Sequence, residues 1–246
     1  MKLSGNRVLI TGGASGIGLG LAKEFVKAGS QVIACGRRAD QLKEAKQICP
    51  QLHTIVADVS TASGREDLFQ QATGQFKDLN VLINNAGIQN RPPKLLEKQD
   101  WFKHAQEIET NLAAPIHLSI LFASYFTKQK NAAIVNVSSG LAFSPLAFIP
   151  TYCATKAALH SFTLSLRHQL KDTSVEVIEI IPPAVNTDLG GKGLHDFGVP
   201  LNDFISHIVQ HLAAGDLEMG YQFSEKGRRA SRAELDELFV AMNNRA

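Results

Sequence analysis

The stretch Arg7-Val-Leu-Ile-Thr-Gly-Gly-Ala-Ser-Gly-Ile-Gly18 passes from a short apolar run through a cluster of glycines into a helical pattern. Glycines allow a backbone to approach a pyrophosphate, and the N-terminus of the next helix offers free N–H groups and the positive end of its dipole. A plain strand-to-helix turn would not need Gly12, Gly16 and Gly18 together. The stretch therefore predicts a dinucleotide-binding turn, whose candidate contacts are Gly12, Ser15, Gly16, Ile17 and Gly18.

Strand-length apolar runs alternate with helical periods along the rest of the chain. Strands are predicted at 7–11, 31–35, 53–57, 81–84, 133–137, 176–181 and 219–223. Helices are predicted at 18–28, 39–48, 61–75, 101–126, 152–170 and 201–214, and from about Ser231 onward. This repeated βαβ pattern predicts an α/β fold, a single Rossmann-type domain over residues 1–246 with a doubly wound parallel sheet of about seven strands and helices on both faces. The Gly- and Pro-rich residues 188–200 are expected to form a short substrate lid.

Composition narrows the possible partners and compartments. The 246 residues are 44% hydrophobic and carry a net charge of +2 without a basic stripe, so nucleic acid is not expected. The longest apolar run, residues 112–126, contains Pro115 and His117 and is shorter than the roughly 18 residues that span a bilayer. Three cysteines without metal or redox spacing, and no export signal, favour a cytoplasmic protein with reduced thiols and no metal site.

Two arginines follow the second predicted strand, where an acidic residue usually binds the free 2′-hydroxyl of a cofactor ribose. The chain has Arg37 and Arg38 at this point, and guanidinium groups suit bidentate contact with a phosphate. NADP(H) is therefore expected in preference to NAD(H). The alternative is that both side chains are merely solvated.

Tyr152 and Lys156 are four residues apart at the start of a predicted helix, so both side chains should share one helix face. A free phenol has a pKa of about 10, and a neighbouring ammonium favours the phenolate. The pair is a candidate for proton transfer near neutral pH. A packed tyrosine with a lysine stem lying along it is the alternative reading.

With these motifs, Asn84-Asn85-Ala86-Gly87 after the fourth strand and Ser138 after the fifth, the chain resembles the short-chain dehydrogenase/reductase family from Arg7 to Phe223. Residues 133–143 and 152–162 most resemble a subgroup encoded among D-alanyl-lipoteichoic-acid synthesis genes in Gram-positive bacteria. Pro183 departs from the pattern, because the family usually has glycine there.

The resemblance implies a hydride transfer between a nicotinamide and a carbonyl or alcohol substrate. Tyr152 would act as acid and base, Lys156 would support it and bind the nicotinamide ribose, Ser138 would bind the substrate oxygen, and Asn111 would position a water. A plain buried helix asparagine is the alternative for Asn111, and a capping serine is the alternative for Ser138. The further cofactor contacts implied by the resemblance are Asp58 and Val59 at the adenine, then Asn85, Ala86, Gly87, Pro182, Val185 and Thr187.

Three segments should determine the substrate: residues 88–94, 141–150 and 188–200. Their aromatic and aliphatic residues predict a mostly apolar pocket for a small or medium molecule. Apolar surface on the helices at 112–126 and 152–170 favours a homodimer or homotetramer, which is also usual in the family. A nucleotide-binding sensor on the same fold remains the alternative to an enzyme, although it would not need Ser138, Tyr152 and Lys156.

Overall fold

The computed structural model describes residues 1–244 and contains one parallel sheet with helices on both faces. Its strands are β1 (Arg7–Thr11), β2 (Gln31–Gly36), β3 (His53–Val56), β4 (Val81–Asn84), β5 (Ala132–Val137), β6 (Val175–Ile181) and β7 (Glu218–Gly220). The seven strands have the order β3-β2-β1-β4-β5-β6-β7. The order reverses beside β1, so the crevice of a doubly wound sheet opens at the carboxyl ends of β1 and β4. The predicted fold class is confirmed.

The helices are α1 (Gly16–Lys27), α2 (Ala39–Ile48), α3 (Ala62–Gln75), α4 (Trp101–Ile108), α5 (Ala114–Phe126), α6 (Pro150–Gln169), α7 (Leu201–Ala214), α8 (Phe223–Arg229) and α9 (Arg232–Asn243). A π-helical turn, Glu109–Ala113, joins α4 to α5, and a 3₁₀ turn, Gly140–Ala142, follows β5. Among residues 1–244, no helix has the length and apolarity needed to cross a membrane.

Alternate residues of the strands supply two separate hydrophobic cores, because successive side chains point to opposite faces of a sheet. One core lies between the sheet and α1, α2 and α7, and includes Phe25 and Phe204. The other lies between the sheet and α3, α5 and α6, and includes Phe122 and Phe126. All four phenylalanines are fully buried. The central strands are thereby held rigidly, which fixes the loops at their carboxyl ends.

Two predicted elements differ from the structure. The helix predicted at 101–126 is helical throughout, but the π turn at Glu109–Ala113 interrupts its regular hydrogen bonding. The strand predicted at 219–223 ends at Gly220, and Phe223 begins α8 instead. A Cβ on Gly220 would lie 2.6 Å from the backbone nitrogen of Glu225. The missing side chain therefore lets α8 fold back against the end of β7.

The predicted lid, residues 188–200, folds back on the segment that precedes it. Asn186 N donates to Val199 O at 2.9 Å, and Val199 N donates to Ala184 O at 2.9 Å. These bonds form an isolated parallel bridge between Val185 and Val199. The segment is thus closed into a loop whose two ends are tied together just after β6.

Candidate active site

The glycine-rich turn between β1 and α1 forms a cradle that larger residues would fill. Gly12 and Gly16 have φ values of 64° and 51°, which favour glycine. A Cβ on Gly18 would lie 2.3 Å from the carbonyl oxygen of Gly12. The first turn of α1 contains only Gly16, Ile17, Gly18 and Leu19, and its N-cap Ser15 makes no side-chain capping bond. The turn therefore presents its backbone N–H groups, which suits a pyrophosphate.

Hydrogen bonds join the loop after β4 to this turn. The Thr11 hydroxyl oxygen accepts from the backbone nitrogens of Asn85 and Ala86, both at 3.0 Å. The Asn85 side chain returns two bonds, to Thr11 O at 2.9 Å and Gly12 O at 3.1 Å. Residues 85–87 are thereby fixed beside the glycine cradle.

The predicted ribose and adenine contacts lie at the same edge of the sheet. Arg37 and Arg38 follow β2 and are exposed, and Asp58 and Val59 follow the neighbouring strand β3. Gly36 pairs with Val56 at the end of these two strands, so the residues that follow them start side by side. The Asp58 carboxylate accepts from Ser60 N at 2.9 Å, which shapes the turn there.

Tyr152 and Lys156 lie on one face of α6, as the spacing predicts. Both are buried, with 6% and 4% exposure, and the Lys156 Nζ is 5.7 Å from the centre of the Tyr152 ring. Lys156 Nζ also donates to Val137 O at 2.8 Å, which ties the side chain to the end of β5. Together these contacts place the ammonium close to the phenol ring.

The pKa values of this pair are governed by burial. Burial raises the pKa of Tyr152, and the Ser139 hydroxyl opposes this by hydrogen bonding. Burial lowers the pKa of Lys156 to about 8, while Glu179 and Glu107 act in the opposite direction. Burial thus favours the uncharged form of both side chains, the neutral phenol and the neutral amine.

The Ser138 hydroxyl, which the sequence analysis predicts at the substrate oxygen, is bound by a buried carboxylate in the structure. The hydroxyl is buried and donates to the Glu179 carboxylate at 2.5 Å, on the α6 side of the sheet. Ser138 follows the same alternation as Asn136, whose amide donates to Thr163 of α6 at 2.9 Å. Ser139, one residue on, has the hydroxyl that interacts with Tyr152. Its oxygen also accepts from Leu141 N at 3.1 Å.

Asn111 lies in the π turn, a distortion that is frequent at functional sites. The side chain is 1% exposed and is held by the backbone of Ile88, whose nitrogen donates to Oδ1 at 2.9 Å and whose oxygen accepts from Nδ2 at 2.8 Å. A Cβ on Gly87 would lie 3.5 Å from Asn111 Oδ1 and 3.8 Å from Lys156 Nζ. A single carbon atom at this position would therefore lie close to both the Asn111 amide and the Lys156 ammonium.

Pro182, Val185 and Thr187 lie on the segment that runs from β6 across the cradle. Pro182 O accepts from Gly140 N at 2.9 Å, and Val185 is 4% exposed. A Cβ on Gly16 would lie 3.3 Å from the Thr187 methyl carbon. The segment thus bridges the serine turn and the glycine turn, and Pro183 does not prevent this arrangement.

Of the three segments expected to determine the substrate, 141–150 and 188–200 pack around Tyr152, and 88–94 contacts 141–150. Ile149, Tyr152 and Cys153 form a buried apolar cluster, against which Leu141, Leu146 and Leu189 pack. Arg91 lies over the Phe148 ring, 5.8 Å from its centre. The lid thus contributes Leu189 to the wall around the phenol. By contrast, Phe143 packs on His160, with ring centres 4.7 Å apart.

Two buried carboxylates near this site, Glu107 and Glu179, were not predicted from the sequence. Glu107 is 1% exposed and accepts from Asn90 N at 2.8 Å, and burial raises its pKa against the effects of that bond and of Lys156. Glu179 is fully buried on β6. A carboxylate at an apolar position of a strand is the one signal in the sequence that could have identified Glu179.

Comparison with known proteins identifies the family. The short chain dehydrogenase model matches residues 6–196. The chain is 49% identical to the "Uncharacterized oxidoreductase DltE" of Bacillus subtilis, over 99% of this chain and 98% of that protein. It is 32% identical to the "NADP-dependent 3-hydroxy acid dehydrogenase YdfG" of Salmonella typhimurium, over 72% of each chain.

A solved structure supports the fold. A short chain dehydrogenase from Burkholderia cenocepacia in complex with NADP superimposes with a TM-score of 0.83 at 24% identity, covering 98% of this chain and 99% of the other. Together with the matches in sequence, the likeness covers the whole sheet and both helical layers. The chain therefore belongs to the short-chain dehydrogenase/reductase family of oxidoreductases and is of the DltE type.

Proposed function

We propose that the protein is an NADP(H)-dependent oxidoreductase that interconverts a carbonyl and an alcohol, with Tyr152 as acid and base. The observation that supports this most is the convergence of Tyr152, Lys156, Ser139 and Asn111 beside the loop 85–87, which is hydrogen-bonded to the glycine cradle. The similarity to an NADP-dependent 3-hydroxy acid dehydrogenase points to the same class of reaction.

The cradle fits a dinucleotide, because any side chain at Gly18 would occupy the space and contact the backbone. In this proposal Gly12, Ser15, Gly16, Ile17 and Gly18 hold the pyrophosphate, and Arg37 with Arg38 holds the ribose 2′-phosphate. Around the rest of the cofactor, the proposed contacts are Asp58, Val59, Asn85, Ala86, Gly87, Tyr152, Lys156, Pro182, Val185 and Thr187. The bound nicotinamide supplies or accepts the hydride at the substrate carbon.

Tyr152 moves the proton that accompanies this chemistry. In reduction its hydroxyl donates to the forming alkoxide, and in oxidation its phenolate accepts the proton of the alcohol. Ser139 replaces Ser138 as the donor to the substrate oxygen, since its hydroxyl is the one that reaches Tyr152. Stabilising charge that develops on this oxygen is worth about a hundredfold in rate per donor.

Lys156 holds a positive charge next to the phenol, which favours the phenolate once the proton has left. Asn111 is fixed by Ile88 at both ends of its amide, so it is suited to hold a water beside Gly87 and Lys156. Such a water would return the proton to solvent. These roles make Lys156 and Asn111 supporting residues for Tyr152.

The apolar cluster around Tyr152 suits a small or medium substrate. We also propose that the protein is cytoplasmic and forms a homodimer or homotetramer. The oligomer is supported by Ile120 of α5 and Leu164 of α6, which are 62% and 43% exposed. A monomer in light scattering at working concentration would refute the oligomer.

The experiment is a panel of aldehydes, ketones and alcohols, followed by nicotinamide absorbance, with wild type and Tyr152→Phe side by side. The variant should fold and bind NADPH with unchanged affinity, yet lose nearly all turnover. Turnover at the wild-type rate in Tyr152→Phe would refute the acid–base role. NADPH binding without turnover of any compound by the wild type would favour the sensor.

A further inference from the structure

Glu179 is a fully buried carboxylate with two hydrogen-bond partners. Ser138 donates to Oε1 at 2.5 Å, and His160 Nδ1 lies 2.8 Å from Oε2. The Glu179 side chain has 0% exposure, whereas His160 has 22%. A buried charge of this kind is costly unless it is paired. A positive charge that stabilises the Glu179 carboxylate is therefore expected nearby.

The geometry relates Glu179 to Lys156. Lys156 Nζ donates to the carbonyl oxygen of Val137, and the next residue, Ser138, holds Glu179. Lys156 and His160 are one turn apart on α6, so they share a helix face with Tyr152. Glu179 also lies directly across the sheet from Asn136 in the β5–β6 register. The carboxylate is thus anchored to the same strand end and the same helix face as the lysine.

We infer that Glu179 is the buried counter-charge of Lys156 and acts, with Ser138 and His160, as a positioning residue for the Tyr152 site. This inference rests on the proposed role of Lys156 at the nicotinamide ribose. Glu179 is the strongest of the influences that favour the ammonium form of Lys156. The other is Glu107 of α4, whose own pKa is raised by burial, so its charge is less secure.

Lys156, Ser138, Glu179 and His160 form a buried network, and His160 lies at its more exposed end. Its hydrogen bond to Glu179 raises the pKa of the imidazole despite partial burial. Farther out, Arg167 and Glu218 form an ion pair at 2.5 Å, and both influence His160. Tyr152, Lys156 and Cys153 of α6 and Glu107 of α4 are the other titratable residues that act on these groups among residues 1–244.

The test compares Glu179→Gln, which keeps the size and the acceptor for Ser138, with Glu179→Asp, which keeps the charge. The pH dependence of the NADPH dissociation constant and of turnover is measured for both. Without the carboxylate the ammonium is less favoured, so the pH at which binding and turnover decline should fall by on the order of one unit in Glu179→Gln. Glu179→Asp should stay close to wild type.

A second readout does not depend on turnover. NMR titration of the histidine rings, with His160→Gln to identify the signal, should show His160 titrating above its ordinary value in wild type and lower in Glu179→Gln. If Glu179→Gln does not fold, the double variant Ser138→Ala with Glu179→Met leaves no hydroxyl without its acceptor. That variant should show the same shift in the pH dependence of NADPH binding.

An unchanged pH dependence in the variants that lack the carboxylate overturns the inference, and so does a His160 that titrates at its ordinary value in wild type. A wild-type protein that binds NADPH with the expected pH dependence but turns over no substrate would refute the proposed function. The inference on Glu179 would still be tested independently, by NADPH binding in Glu179→Gln and by the titration of His160.

Discussion

Asn243, at the end of the last helix, accepts a hydrogen bond from the backbone nitrogen of Ala147 at 2.6 Å. Its amide also donates to Pro145 O at 3.0 Å. Both partners lie in the segment 141–150, which contributes Leu141, Leu146 and Ile149 to the apolar cluster around Tyr152. The C-terminal helix α9 has no buried residue of its own, so this contact links an exposed helix to the proposed substrate pocket.

Asn243→Ala should therefore loosen the substrate loop without disturbing the cofactor site. Each lost hydrogen bond is worth about 0.5–1.5 kcal/mol, or about 1–3 kcal/mol for the two, so KM should rise by about fivefold to about 150-fold. The NADPH dissociation constant should be unchanged. Steady-state kinetics and fluorescence titration measure the two. The exposed neighbour Asn244 gives the matched control, Asn244→Ala. An unaltered KM in Asn243→Ala would show that the loop holds its shape alone.

Ser139→Ala and Ser138→Ala separate the two serines after β5. Loss of the Ser139 hydroxyl should lower kcat by about a hundredfold, and the lost bond from Leu141 N should cost about 0.5–1.5 kcal/mol in stability. Loss of the Ser138 hydroxyl leaves Glu179 one hydrogen bond short in a buried site, at a cost of about 1–3 kcal/mol in stability, and should lower kcat far less. Turnover and thermal melting distinguish the pair. The reverse ranking in kcat would restore Ser138 to the substrate oxygen.

The two serines show where sequence reasoning reaches its limit. The glycine turn and the Tyr152–Lys156 pair are local patterns, so their placement on strand, turn and helix follows from spacing alone. The choice between Ser138 and Ser139 depends on where β5 ends and which face each side chain meets. Glu179 and Glu107 enter the site through pairings across 23 and 49 residues from Lys156, which no local pattern encodes.

Other elements were missed for similar reasons. Residues 223–229, Phe-Ser-Glu-Lys-Gly-Arg-Arg, have no apolar period, and α8 forms because it packs against Gly220. The residues Glu109–Ala113 have no feature of sequence that predicts their π turn, which contains Asn111. The alternation of strands and helices, by contrast, arises from burial on both faces of the sheet and was readable along the chain.

Gly18→Ala tests the cradle. Its Cβ would lie 2.3 Å from Gly12 O, so the turn must shift and the NADPH dissociation constant should rise at least about tenfold. Gly74→Ala is the control, because a Cβ at Gly74 in α3 meets nothing within 4 Å. It should leave binding unchanged and hold or slightly raise the melting temperature. Equal affinities for the two variants would rule out close backbone approach at Gly18.

Arg37→Asp tests the preference for NADP. The change removes a cation and places a carboxylate where the 2′-phosphate is expected, so the ratio of kcat/KM for NADPH to that for NADH should fall by tenfold to a hundredfold, or about 1.5–3 kcal/mol. Arg38→Asp is measured in parallel to rank the two arginines. A ratio that stays constant in both variants would contradict the assignment.

The ionised Glu225 side chain should stabilise the corner between β7 and α8, and this stabilisation should be lost at acid pH. Partial burial raises the pKa of Glu225, but hydrogen bonds from Arg228 and Arg229 outweigh this effect and hold the pKa at about 2. Its carboxylate accepts from Arg228 Nε at 2.6 Å and from Gly220 N at 3.1 Å. A carboxyl group with a depressed pKa stabilises the fold above its ordinary value of 4.5, and this contribution is lost as the pH falls toward 2.

Thermal melting of wild type and Glu225→Gln across this range measures the effect. The wild type should melt higher at pH 7, and the difference should shrink steadily as the pH falls from about 4.5 toward 2. Glu237→Gln on α9, an exposed carboxylate, is the control and should leave the curve unchanged. A difference that persists undiminished at pH 2 would mean that the Glu225 side chain stabilises the corner by packing, since the contribution of its depressed pKa is mostly lost there.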